Sequence, residues 1–515
     1  MASIGIIIKN GLTLSKRIPG PKKDPYKTQE KLLARHLRKA QFTAFGQEYN
    51  FSKILRSADM VEAFQEAVPV HSYEAMLKWW QMSLQGELSV CWPGKVDYFA
   101  LSSGTSTGTS KYIPVTRTMI KAIHHSSVKQ ILSLAYCKLP DNFYEKDILM
   151  LGSSTSLEYN GIYYAGDLSG ITSKDLPFWF QPFYKPGREI ARTKNWQEKL
   201  DLITKEAHKW DVGAIVGVPA WFQILMERII ELHKVKTIHD IWPNLMVFTH
   251  GGVALEPYKK GFEKLLAHPL IYLETYLASE GFIAYQARPE SEGMKLLVRG
   301  GIFFEFIPFN DLNIDNEGNI RENPEVLTLH EVEEGQEYVL LLSTCSGAWR
   351  YIIGDVVKFT DVAQYEIKIT GRTKHFLSLC GEHLSIENMN RAIELVSEEF
   401  NVNIKEFTVA GTHSGSLFAH HWFISMDNNE LDSNLVRDRL DFYLKQTNDD
   451  YITERKHALK DVFVDFVPNQ YFHGWLKAQG KEGAQIKFPR VLKKEQYQSW
   501  VAYLSQTAGI KVQNQ

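Results

Sequence analysis

Only four of the 515 residues are cysteine, at 91, 137, 345 and 380, and no two of them form a C-x-x-C. That excludes a zinc knuckle or a disulfide framework and fits a reducing, cytoplasmic setting. Apolar runs are short: none approaches the roughly 18 residues that a membrane helix needs. The opening run Ile4-Gly5-Ile6-Ile7-Ile8 is too brief for a signal segment and has no basic residue before it. No membrane partner is therefore expected. Excess charge of either sign is also missing, with 58 Lys and Arg against 60 Asp and Glu. Nothing supplies the phosphate attraction on which nucleic-acid binding depends. Repeats and low-complexity segments are absent too.

A hydrophobic share of 44% with 23% charged residues is ordinary for a globular chain. Its length suggests about three domains or large subdomains. The opening reads as helices broken at Pro19-Gly20-Pro21, with Leu32, Leu33, Leu37 and Ala40 near helical spacing; Glu62 to Val68 and Tyr73 to Met82 read as helices as well. The first strand is expected at Tyr98. Thr116 to Ala135 reads as a long helix burying Met119, Ile120, Ile123, Val128, Ile131 and Leu132. Short apolar runs at Asp147 to Gly152, Gly213 to Val218, Leu245 to Thr249 and Leu270 to Glu274 alternate with helices. That alternation predicts an α/β domain with mainly parallel sheets flanked by helices, and sites at the carboxyl ends of its strands. A β-rich, antiparallel subdomain follows at about 295–360. A boundary falls near Gly371-Arg372, giving a large N-terminal domain (1–371) and a small α+β C-terminal domain (372–515).

One stretch carries most of the chemistry. The apolar run Tyr98 to Leu101 leads into Ser102-Ser103-Gly104-Thr105-Ser106-Thr107-Gly108-Thr109-Ser110, which Lys111 closes. Hydroxyls and backbone N–H groups in such a loop can converge on an anion, and the lysine adds a point charge. The spacing is not that of a Walker loop. A solvated Ser/Gly linker is the plainer alternative, and the bracketing by an apolar strand and a lysine favours phosphate.

Other candidates follow strands. Gly251 and Gly252, before Val253, would let a flat group lie against bare backbone, or form a simple turn. In Tyr276-Leu277-Ala278-Ser279-Glu280, the tyrosine can stack on a base and the carboxylate can ligate Mg2+; a surface tyrosine and a capping glutamate would look the same. Asp355, after Gly354, can accept from two ribose hydroxyls or merely complete a turn. Arg372 and Lys487 taken alone are most simply exposed charges. The pairs His124-His125 and His420-His421 lack the nearby aspartate of an acyltransferase pattern, and adjacent side chains point apart. Ile123, Ser127, Val128 and Ile131 could line an acyl pocket or simply pack in the core.

The order of these motifs resembles the adenylate-forming superfamily that includes firefly luciferase. More closely, it is similar to the auxin-responsive Gretchen Hagen family of acyl-acid amido synthetases. Ser102 to Lys111 matches that family's S-S-G-T-S-x-G-x-x-K, and Tyr276 to Glu280 matches Y-x-x-S-E. The third motif, Y-R-x-G-D, is met at Tyr351, Gly354 and Asp355, but Ile352 replaces the arginine. The resemblance implies an ATP- and Mg2+-dependent ligase. It would join a carboxylic acid to an amino acid through an acyl-adenylate, with a thioester-forming CoA ligase or an inactive nucleotide-binding regulator as alternatives. It implies that Ser102, Ser103, Gly104, Thr105, Ser106, Thr107, Gly108 and Lys111 hold the phosphates. Gly252, Val253, Tyr276 and Ser279 would face the base, Asp355 and Arg372 the ribose, and Glu280 the metal. Lys487 would come from a mobile small domain to the α-phosphate.

Overall fold

The computed structural model describes residues 24–102, 111–174, 176–252, 255–315, 318–373, 376–382, 384–415, 417–426, 431–479 and 488–508. The expectations placed on Ser103, Gly104, Thr105, Ser106, Thr107, Gly108, Val253 and Lys487 lie outside these residues. The chain divides into two compact units, the larger ending at Thr373.

In the larger unit, helix α1 (Pro25–Ala40) opens where the Asp24 carboxylate accepts from the amide of Tyr26 at 2.9 Å, with Pro25 in the first turn. Proline costs nothing there because that amide has no helical partner. The helix buries Leu33, Leu37 and Ala40, as their spacing predicts, and also His36. His36 packs edge-on to Trp92 at 5.5 Å, and neither ring nitrogen has a hydrogen-bond partner among the described residues. Helix α2 (Tyr73–Leu84) follows, capped by the Ser72 hydroxyl.

Strand β1 (Tyr98–Ser102) pairs antiparallel with β2 (Lys111–Val115), which sets Ser102 opposite Lys111. Both belong to a small four-stranded sheet completed by β4 (Glu158–Tyr159) and β5 (Tyr164–Gly166). The first strand thus stands apart from the main sheet. Helix α3 (Arg117–Ser133) begins directly after β2. Its cap, Thr116, accepts from the Met119 amide at 3.2 Å and donates to the Cys345 carbonyl at 2.8 Å. Met119, Ile120, Ile123 and Ser126 form its buried face. Leu132, expected inside, is exposed: it lies nine residues beyond Ile123, half a turn around the helix on the opposite side. Val128 and Ile131 are half-buried for a related reason.

The main sheet has eleven strands. Its parallel half runs β6 (Tyr184–Lys185), β3 (Asp147–Leu151), β7 (Val212–Gly217), β8 (Val247–Gly251), β9 (Ile271–Ala278). Helices connect these strands and cover their faces, so the strands read as continuous apolar runs rather than alternating ones. Strand β9 then turns back through Ser279 and Glu280 into β10 (Gly281–Tyr285). From there the sheet is antiparallel through β11 (Met294–Leu296), β15 (Glu366–Arg372), β14 (Tyr351–Asp361), β13 (Glu337–Thr344) and β12 (Ile302–Pro308). The antiparallel stretch therefore continues the parallel one in a single sheet. Tyr276 was expected in a loop after a strand ending near Glu274, but β9 runs four residues further. Gln286 accepts the Glu274 amide, and Gln130 donates to the Thr275 hydroxyl, so polar residues there are satisfied in extended conformation.

The smaller unit begins with the short pair β16 (Phe376–Leu377) and β17 (Leu384–Ser385), then pairs β18 (Ile404–Ser414) with β19 (Leu417–Met426), flanked by β20 (Leu459–Phe466) and β21 (Val491–Leu492). Its helices include Ile386–Phe400 and Ser433–Thr447. His420 and His421 point to opposite sides of β19 and donate to Glu382 and Asp465, each at 2.8 Å. All four cysteines are buried free thiols. No helix among the described residues is long and apolar enough to cross a membrane.

Two buried imidazoles of the larger unit set an acid limit on stability. Burial, aided by Arg35 and Lys39, pushes His36 down to about 3. Burial pushes His71 down to about 4, against the pull of its bond to the Trp349 carbonyl. Both are neutral when folded and take up a proton near pH 6.5 when unfolded. Their contribution is intact above that value and is lost as pH falls toward 4. At pH 5 the expected loss is about 2 kcal/mol for each histidine. Denaturant titrations at pH 5 and 7 should show this drop, and His36→Leu should remove about half of it.

Candidate active site

The expected site residues gather where the sheet changes from parallel to antiparallel. Asp355 on β14 and Arg372 on β15 are directly paired across the two strands. Arg372 Nε donates to one oxygen of the Asp355 carboxylate, and the Tyr276 hydroxyl, reaching from β9, donates to the other. Strand β9 and the distant β14–β15 hairpin thus meet on one carboxylate. A guanidinium Nη of Arg372 also lies 3.4 Å from the Ile353 carbonyl.

Glu280 sits at the tip of the β9–β10 turn, buried to 7% exposure. The turn is tight because Gly281 takes φ +141°, and a Cβ there would come within 3.0 Å of the Met119 sulfur. Only glycine fits both demands. At the end of β8, Gly252 takes φ +83° beside Val218. β8 and β9 are neighbours, with Gly251 opposite Thr275, so Gly252 lies next to the Tyr276 strand at the carboxyl edge of the parallel half. That edge is where ligands bind in open α/β sheets.

Burial and close charges set the electrostatics of the cluster. Burial pushes the Glu280 carboxyl up to about 7, and Asp355 adds to that, while Arg372 and Lys111 pull it back. Burial, then Asp355, raises the Tyr276 phenol far above its ordinary range and keeps it a donor. Burial opposes the charge on Arg372, but Asp355 outweighs it. Lys111 acts on Glu280 from β2, with its ammonium 5.0 Å from the centre of the Tyr73 ring. The structure thus brings together Tyr276, Glu280, Asp355, Arg372 and Lys111, with Ser102 opposite Lys111 and Ser279 beside Glu280.

Among the described residues no three His, Cys, Asp or Glu side chains form a metal-holding group. Magnesium asks for less, since it takes one or two carboxylates together with substrate phosphates. A single buried carboxyl whose charge is under-compensated, as at Glu280, fits that requirement.

The four expected acyl-pocket residues divide. Ile123 packs in the same core as Tyr276 and Phe282. The Ser127 hydroxyl is spent on the Ile123 carbonyl at 3.0 Å. Val128 is half-buried on the same helix. Ile131 instead lines a cavity of about 40 Å³ with Phe143, Ile148, Trp179 and Phe180, near the amino ends of β3 and β7. That is the far end of the parallel strands from Tyr276. Sequence reasoning did not single out Tyr73 or the buried pair Arg350–Glu305. Neither sits in a local pattern, and each gains its place only when distant segments pair.

Family models match along most of the chain. The model for the GH3 family N-terminal domain matches residues 15–162 and 153–270, the central domain 295–372, and the C-terminal domain 387–496. The indole-3-acetic acid-amido synthetase GH3.4 of Arabidopsis thaliana is 28% identical over 33% of this chain and 30% of its own length. This chain thus spans under a third of that relative. The jasmonoyl–L-amino acid synthetase JAR6 of Nicotiana attenuata is 21% identical over 74% of this chain and 76% of its own. The fold matches the solved structure of the GH3.15 acyl acid amido synthetase at a TM-score of 0.55, with 17% identity and 93% of each chain covered. With all three domain models aligned in order and together spanning most of its length, the chain belongs to the GH3 family.

Proposed function

We propose that this GH3 protein is an ATP-dependent, AMP-forming ligase that activates a carboxylic acid and passes the acyl group to the amine of an amino acid. The observation that carries this reading is the Tyr276–Asp355–Arg372 cluster with buried Glu280 beside it, at the carboxyl edge of the sheet and within the influence of Lys111.

In the first step a carboxylate oxygen bonds to the α-phosphorus of ATP, and the bond to pyrophosphate breaks. In the second, the amine nitrogen bonds to the acyl carbon, AMP leaves, and the nitrogen loses its proton. Both reactants in the first step are anions, so the barrier is largely electrostatic, and prepositioned cations and N–H groups lower it. Lys111 and Lys487 supply positive charge, and the Ser102 to Ser106 segment supplies hydroxyls and amides. When bound, Mg2+ neutralises phosphate charge, and Glu280 is the residue that would hold it. Asp355 receives the ribose hydroxyls, with Arg372 and Tyr276 orienting its carboxylate. Gly252, Val253 and Tyr276 border the base, and half-buried Ser127 and Val128 are the candidates left on α3 to face the acyl group. The acid and the amine are small molecules of the kinds for which the related amido synthetases are named.

The test is AMP release over a panel of aromatic and cyclic carboxylic acids with ATP and Mg2+, supplemented with either amino acids or CoA. The expected result is AMP formation stimulated by an amino acid, with an amide product. Stimulation by CoA alone, with a thioester product, would overturn the amide assignment. Nucleotide binding without AMP from any acid would make the protein a non-catalytic nucleotide binder.

A further inference from the structure

Tyr73, the first residue of α2, belongs to none of the motifs, yet it touches the phosphate segment twice. Its hydroxyl accepts the amide of Tyr112 at 3.0 Å, and its ring centre lies 5.0 Å from the ammonium of Lys111. The two contacts fix consecutive residues where the chain enters β2. An ammonium over an aromatic face is attracted by the ring quadrupole.

Tyr73 is itself held firmly. Two residues earlier, His71 adds a bridge to the start of β14: its amide donates to the Arg350 carbonyl at 2.8 Å, and its carbonyl accepts from Ile352 at 2.9 Å. Trp80, two turns along α2, packs against both Tyr73 and Tyr351, at 5.6 and 5.4 Å. Strand β14 carries Asp355 four residues beyond Tyr351. Tyr73 thus ties the strand that bears the site carboxylate to the strand that bears the site lysine. A flexible four-carbon lysine side chain gains most from such a support, because ordering it is otherwise costly.

We propose that Tyr73 is a positioning residue for Lys111, its ring carrying the ammonium and its hydroxyl anchoring the neighbouring amide so that the lysine meets the nucleotide phosphates. The proposal rests on the ATP-dependent reading above.

The experiment is a double-mutant cycle on the full chain: Tyr73→Leu, Lys111→Ala and the pair, plus Tyr73→Phe. It reads ATP affinity by calorimetry and AMP release with ATP varied. Tyr73→Leu should lower kcat/KM for ATP about tenfold, within the range of a desolvated cation–ring contact. Tyr73→Phe, which keeps the ring, should recover most of that loss. In the Lys111→Ala background Tyr73→Leu should cost nothing further. An equal loss with and without Lys111, or no loss from Tyr73→Leu, overturns the proposal, since a merely structural tyrosine would act independently of the lysine. Should Tyr73→Leu not fold, Tyr73→Met, which also removes the ring, decides in the two backgrounds by the same rule: a deficit confined to the Lys111 background supports the proposal, and an equal or absent one overturns it. A wild-type protein that binds no ATP overturns the underlying reading instead, whereas one that binds ATP but shows an additive cycle overturns this proposal alone.

Discussion

Glu280→Gln is expected to lower AMP formation at least 100-fold, about 2.7 kcal/mol of barrier, and yet to make the free protein more stable above neutral pH. Both effects follow from one carboxyl. Burial pushes Glu280 up to about 7, whereas an unfolded glutamate ionises near pH 4.3. The folded chain therefore holds this proton more tightly. The stability it confers is complete below the unfolded value and is lost as pH rises through about 7. By pH 8 the wild type has given up about 4 kcal/mol at this position, which a neutral glutamine would not. On the function proposed above activity runs the other way, because the metal that Glu280 would hold needs the carboxylate. In the wild type, kcat/KM should climb with pH through about 7, and the glutamine variant should lose that limb. Thermal unfolding and AMP release, each at pH 6 and 8, check the two halves. A site that is costly to ionise when empty, and useful only with its cationic partner present, is a common way for stability to be spent on function.

Arg350→Met should destabilise the larger unit by about 3–5 kcal/mol. Glu305 is fully buried on β12, where burial raises its carboxyl and Arg350 restrains it. Arg350 Nε reaches the two carboxylate oxygens at 3.1 and 3.3 Å, and one Nη donates to the carbonyls of Gln65 and Val68 at 2.7 and 2.6 Å. Removing the guanidinium strands a carboxylate in the core together with two carbonyls that β14 and the N-terminal helices otherwise share. Replacing both partners, Arg350→Met with Glu305→Leu, should recover a large part of the loss, because an apolar pair carries no desolvation debt. Urea denaturation of the wild type, the single variant and the double variant measures it.

Four of the five strands in the parallel half were legible as continuous apolar runs, and each of the four is present; the two-residue β6 has no such run and was not foreseen. What escaped was mostly a matter of partners. Nothing around Tyr276 says that β9 continues, since the acceptors for its polar residues, Gln286 and Gln130, lie on other elements. Leu132 looked interior in composition but not in angular position, and helical geometry decided against it. Asp355 and Arg372 were each assigned to a ribose from separate motifs. Only strand register shows that they face each other and share Tyr276. Ile131 was grouped with Ser127 and Val128 by helical proximity, yet one further turn carries it toward the opposite end of the strands. Arg350 and Glu305 are 45 residues apart and gave no local sign of pairing.

The most direct measurement of the central claim follows oxygen. With a carboxylic acid labelled with 18O in its carboxyl group, turnover with ATP and an amino acid should place one labelled oxygen in the phosphate of AMP and none in pyrophosphate. Label appearing in inorganic phosphate alongside ADP, or AMP formed without label, would contradict attack of the carboxylate on the α-phosphorus.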